Sequence, residues 1–212
     1  MKKIAYFLEF ILIKILFILF RLIGYRLSSN LGFFIGKTIG PIFRSKKMII
    51  KNLEKAKIKH SDDPSKIASN VLGNYGRIFA EYVYLKKFRN NDLKKFVSID
   101  GLEHLENLKK YNKKAVFISG HFNNFELMAM EIEKAGIDLA AIYRPLNNIF
   151  LNETMEKIRK ENICKNQIKK GRAGSRELIK NVIKGKSIAL MIDQRVREGE
   201  KVKFFNNLAT TT

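Results

Sequence analysis

KKAVFISGHFNNFELMAMEIEKAGIDLAAIY, residues 113–143, changes character three times within one short stretch. AVFIS at 115–119 is a short apolar run bounded by lysine and glycine, the composition of a buried strand. Residues 125–135 read as a helix stopped by Gly136. DLAAIY at 138–143 is a second strand. Downstream, 149–162 and 175–184 predict two helices, the second closed by Gly185, and SIALMID at 187–193 predicts a third strand. This β-α-β-α-β order predicts an α/β fold: a mostly parallel sheet with helices on both faces.

Upstream the pattern is helical. Residues 4–23, IAYFLEFILIKILFILFRLI, approach the roughly 20 apolar residues that cross a bilayer. Glu9 and Lys14 interrupt the run, and each is costly at a bilayer centre. Either partner groups or snorkelling satisfy them in a spanning helix, or the helix lies in the interface with its basic side toward head groups. No small-x-small cleavage site follows, so residues 1–25 are expected to remain as a membrane anchor helix. Lysines and arginines stand on both sides of it, so its orientation is not legible. Residues 26–112 form a helical N-terminal region, and 113–212 the α/β core. Gly32, Gly36 and Gly40 fit either one face of a helix or a loop-rich connection before Pro41. Lys51 to Lys59 reads as a basic helix. Ser61, Asp62, Asp63 and Pro64 are a helix-start signal for a helix over 64–85.

Forty-one Lys and Arg against 20 Asp and Glu leave a formal charge of +21, so the partners are anionic: phosphates, lipid head groups, nucleic acid or an acidic protein. Cys164 is the one cysteine and reads as a small hydrophobe in a reducing compartment.

In a parallel α/β sheet, ligands sit beyond the carboxyl ends of the strands. Three polar clusters fall there: GHFNNFE at 120–126, YRPLNN at 143–148, and Asp193, Gln194 and Arg195 after the third strand. Within the first, His121 carries an imidazole, a group that can take a proton from a hydroxyl and return it to a leaving group. A nearby carboxylate orients such an imidazole and stabilises the cation that forms. Glu126, in the first turn of the following helix, can reach back to His121 across the loop-to-helix junction. His60 and His104 lie in polar contexts and carry no such chemistry.

GHFNNFE resembles the HX4(D/E) motif of the glycerolipid acyltransferases. The wider set of His121, Glu126, Tyr143-Arg144-Pro145, Asn148, Asp193 and Gln194, with the Phe-Phe and Thr-rich close at 203–212, resembles the lipid A biosynthesis late (lauroyl/myristoyl) acyltransferases. That resemblance covers nearly the whole chain, and members of that family continue beyond the Thr-rich run. It implies a glycerolipid acyltransferase-like fold at the bacterial inner membrane, with the active site on the cytoplasmic side. It implies transfer of a fatty acyl group from an acyl carrier protein thioester to a hydroxyl of a phosphorylated glycolipid. His121 would act as general base and Glu126 as its orienting partner. Arg144 would bind phosphate or developing charge, and Asn123, Asn148, Asp193 and Gln194 would line the substrate site. Such chemistry needs no metal, no cofactor and no covalent intermediate on Ser119 or Cys164. Lys165, Lys169, Lys170, Arg172 and Arg176 make a candidate docking patch for an acidic donor.

Three other readings stay open. One keeps the fold and changes the acceptor to a phospholipid or another glycolipid. One is a non-catalytic, basic, membrane-tethered binding protein; no nucleic-acid-binding motif supports a nucleic acid partner. The last is a hydrolase acting on water, although no G-x-S-x-G elbow is present.

Overall fold

The computed structural model describes residues 2–57, 62–194 and 199–211. His60, Ser61, Arg195 and Thr212 lie outside the described residues. The chain divides into two compact units, Met1–Leu16 with Tyr84–Met191, and Phe17–Val83 with Ile192–Thr212.

The first unit is the α/β unit. Its strands are β1 (Val116–Ser119), β2 (Leu139–Tyr143), β3 (Asn166–Lys169) and β4 (Ser187–Met191), in the order β1-β4-β2-β3 and all parallel. The helices α7 (Glu126–Lys134), α8 (Ile149–Asn162) and α9 (Arg172–Ile183) make the three crossovers. Two crossovers run in one direction across the sheet and the third runs back. Right-handed connections therefore put α7 and α8 on one face and α9 on the other. On the α9 face, Ala140, Ile168 and Ile188 are buried together, with Ile142, Leu178 and Leu190 packed on them.

The expected α/β class is present in this unit, whose sheet holds one strand more than the sequence suggested. β3 escapes notice because NQIK contains one buried residue, Ile168, on an edge strand whose other positions face water or polar neighbours. It also explains why α9 begins at Arg172, three residues before the expected start. The opposite face is covered by α5 (Leu85–Arg89), where Arg89 Nη2 donates to Glu133 Oε2 of α7 at 2.7 Å. It is covered too by the first turns of α1 (Lys2–Ile23), whose Phe7 and Phe10 pack on Phe150 of α8 with ring centroids 5.6 and 6.2 Å away.

In the second unit, α2 (Tyr25–Phe43) and α4 (Pro64–Glu81) form a close helical pair, and α3 (Lys46–Ala56) packs on α4. Gly32, Gly36 and Gly40 do lie on one helical face, and Pro41 sits within the last turn of α2. A Cβ on Gly76 would run into the Gly32 carbonyl oxygen and the Gly36 Cα, and one on Gly32 into the Gly76 carbonyl and Ala80. Backbone approach that close is what small residues permit. Asp63 caps α4 by accepting from the Lys66 amide at 3.1 Å. The helix ends at Glu81, short of the expected 85, because the chain tightens into a 3-10 turn at Tyr82–Tyr84. Glu81 is buried and accepts from Ser29 Oγ at 2.7 Å and from the Tyr25 hydroxyl at 3.3 Å, while Arg77 Nη1 donates to Ser29 Oγ at 2.9 Å. Burial and the Glu81 charge push the Tyr25 hydroxyl up to about 12. The closing stretch forms a hairpin of β5 (Glu200–Phe204) and β6 (Asn207–Thr211), turning through Phe205 and Asn206 at positive φ.

Gly76→Ala is expected to destabilise the second unit by roughly 1–3 kcal/mol, the usual cost of overpacking a close contact. Denaturant unfolding of the purified protein measures it, and an unchanged midpoint would mean the helix pair is not held at this distance.

Candidate active site

The β1–α7 connection is short and tightly turned. The Phe122 amide donates to the Gly120 carbonyl at 2.9 Å and the Phe125 amide to the Asn123 carbonyl at 3.0 Å. Asn123 adopts φ 41°, a left-handed conformation that Asn tolerates better than most residues. These turns fold the loop back on itself. The His121 ring stands edge-on to Phe125, centroids 4.6 Å apart, at the carboxyl end of β1. Phe125 immediately precedes Glu126, the first residue of α7. His121 is half-buried and Glu126 is buried. Thus the histidine and carboxylate belong to one compact turn, with the carboxylate at a helix N-terminus that favours negative charge.

Glu126 is held from α8. Arg159 Nε and Nη2 both donate to Glu126 Oε1, at 3.0 and 2.8 Å, and both side chains are largely shielded from water. The Arg159 guanidinium lies 5.8 Å from the centroid of the Tyr143 ring at the end of β2. The Tyr143 hydroxyl is buried beside the Glu156 carboxylate, without an aligned hydrogen bond. Glu156 also accepts from Asn152 Nδ2 at 2.7 Å and pairs with Lys169 Nζ at 3.1 Å. The Tyr143 hydroxyl, the Asn152 amide and the Lys169 ammonium hold the Glu156 carboxyl down to about 2, against its partial burial. Burial, with Glu156 beside it, raises the Tyr143 hydroxyl.

Arg159 is a site residue that motif reading does not reach. The available signal is helical spacing: Asn152, Glu156 and Arg159 fall at i, i+4 and i+7, a polar stripe along a helix that also buries Leu151 and Met155.

The other expected site residues separate into distinct places. Arg144 is exposed immediately after β2, at the same carboxyl edge of the sheet as His121, and Asn123 is exposed in the His121 turn. Asn148 is buried: its Oδ1 accepts from the Phe150 and Leu151 amides at 3.1 Å, capping α8. Its Nδ2 donates to Glu9 Oε2 at 2.9 Å and to the Tyr6 carbonyl at 2.8 Å, so this side chain ties α8 to α1. Asp193 and Gln194 are exposed and belong to the second unit. His104 is exposed on α6 (Leu102–Lys110), 3.8 Å from Glu103. Cys164 is fully buried, and burial pushes its thiol up to about 11, far from a reactive thiolate.

Comparison with known proteins matches the whole chain, residues 1–212, to the family described as bacterial lipid A biosynthesis acyltransferase. No curated protein matches it. The chain belongs to that family of acyltransferases, and its closely turned His121–Glu126 segment is therefore read as part of an enzyme.

Replacing Arg159 by Met leaves Glu126 buried without its counter-charge, which is expected to cost about 3–5 kcal/mol of stability by denaturant unfolding. An unchanged midpoint would remove the clamp from this description. Because the folded state holds the Glu156 carboxyl down to about 2, its stabilising contribution is present above the ordinary carboxylate range and is lost as pH falls from there toward 2. Glu156→Gln should flatten the acid limb of a stability-versus-pH curve, and an unaltered limb would contradict that assignment.

Proposed function

We propose that this chain moves a fatty acyl group from an acyl carrier protein thioester to a hydroxyl of a phosphorylated lipid A precursor, using His121 and Glu126. The observation that carries the reading is the compact turn joining a half-buried imidazole to a buried, arginine-held carboxylate. Family membership supports an acyl donor and a lipid A-type acceptor.

In this reading His121 removes the proton from the acceptor hydroxyl as its oxygen attacks the thioester carbonyl. The tetrahedral intermediate collapses with loss of the thiolate, and the imidazolium returns the proton to sulfur. Glu126, fixed by Arg159, orients the ring and balances the transient imidazolium charge. Arg144, exposed at the sheet edge, is available to an acceptor phosphate, with Asn123 beside the turn.

The N-terminal helix fits an interfacial role. Among the described residues no helix is long and apolar enough to cross a membrane. Yet Ile4, Leu8, Ile11, Ile15, Leu19 and Leu22 are exposed along α1, recurring every three or four residues, with Lys2, Lys3, Lys14 and Arg21 on the same helix. Exposed aliphatic stripes with basic residues suit an anionic membrane surface. Glu9, costly in lipid, is accounted for by its bond to Asn148. We therefore place the protein at the bacterial inner membrane, facing the cytoplasm, with α1 lying in the interface.

The test offers carrier-protein thioester with either a lipid A precursor or a phospholipid as acceptor. His121→Ala is expected to lose nearly all acyl transfer, at least about a hundredfold, as for removal of a general base. Full turnover in that variant would reject the mechanism. Phospholipid as the preferred acceptor would reject the substrate, and free fatty acid as sole product would mark a hydrolase.

A further inference from the structure

We infer that the outward face of α9 is the docking surface for the acidic carrier protein that brings the acyl thioester; the inference rests on the donor assignment above. α9 presents its buried side, Gly174 and Leu178, to the sheet. At 100° per residue, Ile179, Arg172, Ile183 and Arg176 fall within about 60° of arc on the opposite side, with Lys180 adjoining. Ile179 is 59% exposed and Ile183 79% exposed, and Glu177 is the one acidic residue on the helix. A solvated helical face usually interleaves both charge signs and keeps aliphatic side chains out of its centre. Here aliphatic side chains stand among cations alone. That combination suits a protein presenting carboxylates around an apolar patch, since opposite charges steer the encounter and the isoleucines are covered on contact.

Position separates a soluble partner from the bilayer. The first turns of α1 pack on α8 through Phe7, Phe10 and Phe150. The crossover sense puts α9 on the other face of the sheet. A membrane engaged by α1 in this unit therefore does not use the α9 face. The N-terminal end of α9 also begins directly after β3, at the carboxyl edge that carries His121 after β1. Three strand spacings separate β1 from β3, about 14 Å. A carrier seated on the first turns of α9 would hold its flexible phosphopantetheine arm along that edge, toward the imidazole.

The double variant Arg172→Glu/Arg176→Glu in the full chain tests this with two donors, acyl carrier protein thioester and acyl-pantetheine thioester. The expected result is a KM for the carrier donor raised about tenfold or more, kcat within about twofold, and unchanged kinetics with acyl-pantetheine. Replacing acidic residues of the carrier by lysine should restore part of the loss. An unchanged carrier KM, or equal losses on both donors, would overturn the docking surface. Loss of binding to phosphatidylglycerol vesicles with carrier kinetics intact would assign the face to lipid and equally overturn it. Wild-type protein that shows no preference for the carrier donor would instead remove the donor assignment on which the inference stands.

Discussion

Glu126 is a carboxylate withdrawn from water at the first residue of a helix, and two N–H groups of Arg159 meet it there on a single oxygen. A buried charge left alone costs several kcal/mol, so the burial and the clamp must form together. This one ion pair joins α7 to α8. Through Tyr143, whose ring faces Arg159, it also reaches the end of β2. The carboxyl edge of the sheet is thus cross-linked by polar side chains behind the His121 turn. Under the proposed function, this arrangement would let His121 keep one orientation while a substrate comes and goes.

The helical unit follows another logic. Its helices approach through glycine, with Gly32 and Gly36 against Gly76, and its one buried carboxylate, Glu81 among the described residues, is met by two hydroxyls. The outer side of α2 keeps Leu27, Leu31, Phe34, Ile39 and Ile42 exposed. Backbone-close packing inside and aliphatic residues outside suit a helix pair that works beside lipid. Under the proposed function, both units then have surfaces for a membrane-bound acceptor, while α9 serves the soluble donor.

Much of the fold could be read from periodicity and punctuation. Residues 149–162 are helical over the expected range, and β1, β2 and β4 lie within the apolar runs expected to form them. Apolar runs mark β2 and β4 because burial in the middle of the sheet demands them, whereas β1, expected as a buried strand, lies at the sheet edge and leaves Val116 and Ile118 exposed. β3 lacks that demand, since only Ile168 is buried, so its strand identity comes from pairing with β2 and not from composition. Gly32, Gly36 and Gly40 were ambiguous for a related reason: alone they weaken a helix, and only α4 as a partner turns them into a packing face. At the site, the His121–Glu126 spacing was visible, whereas Arg159 was not. It contacts Glu126 across 33 residues, a pairing that no local pattern encodes. Asn148 looked like a rim residue because it follows a strand, but its amide is occupied in capping α8 and bonding Glu9.

The proposed chemistry requires His121 and Glu126 to act as one unit, with the carboxylate working through the imidazole. A double-mutant cycle on the rate of acyl transfer measures this directly: His121→Ala, Glu126→Gln and both together. If the two act as one unit, the double variant is about as slow as the slower single variant, because the second change removes nothing further. Losses that multiply would show two independent contributions and contradict the account.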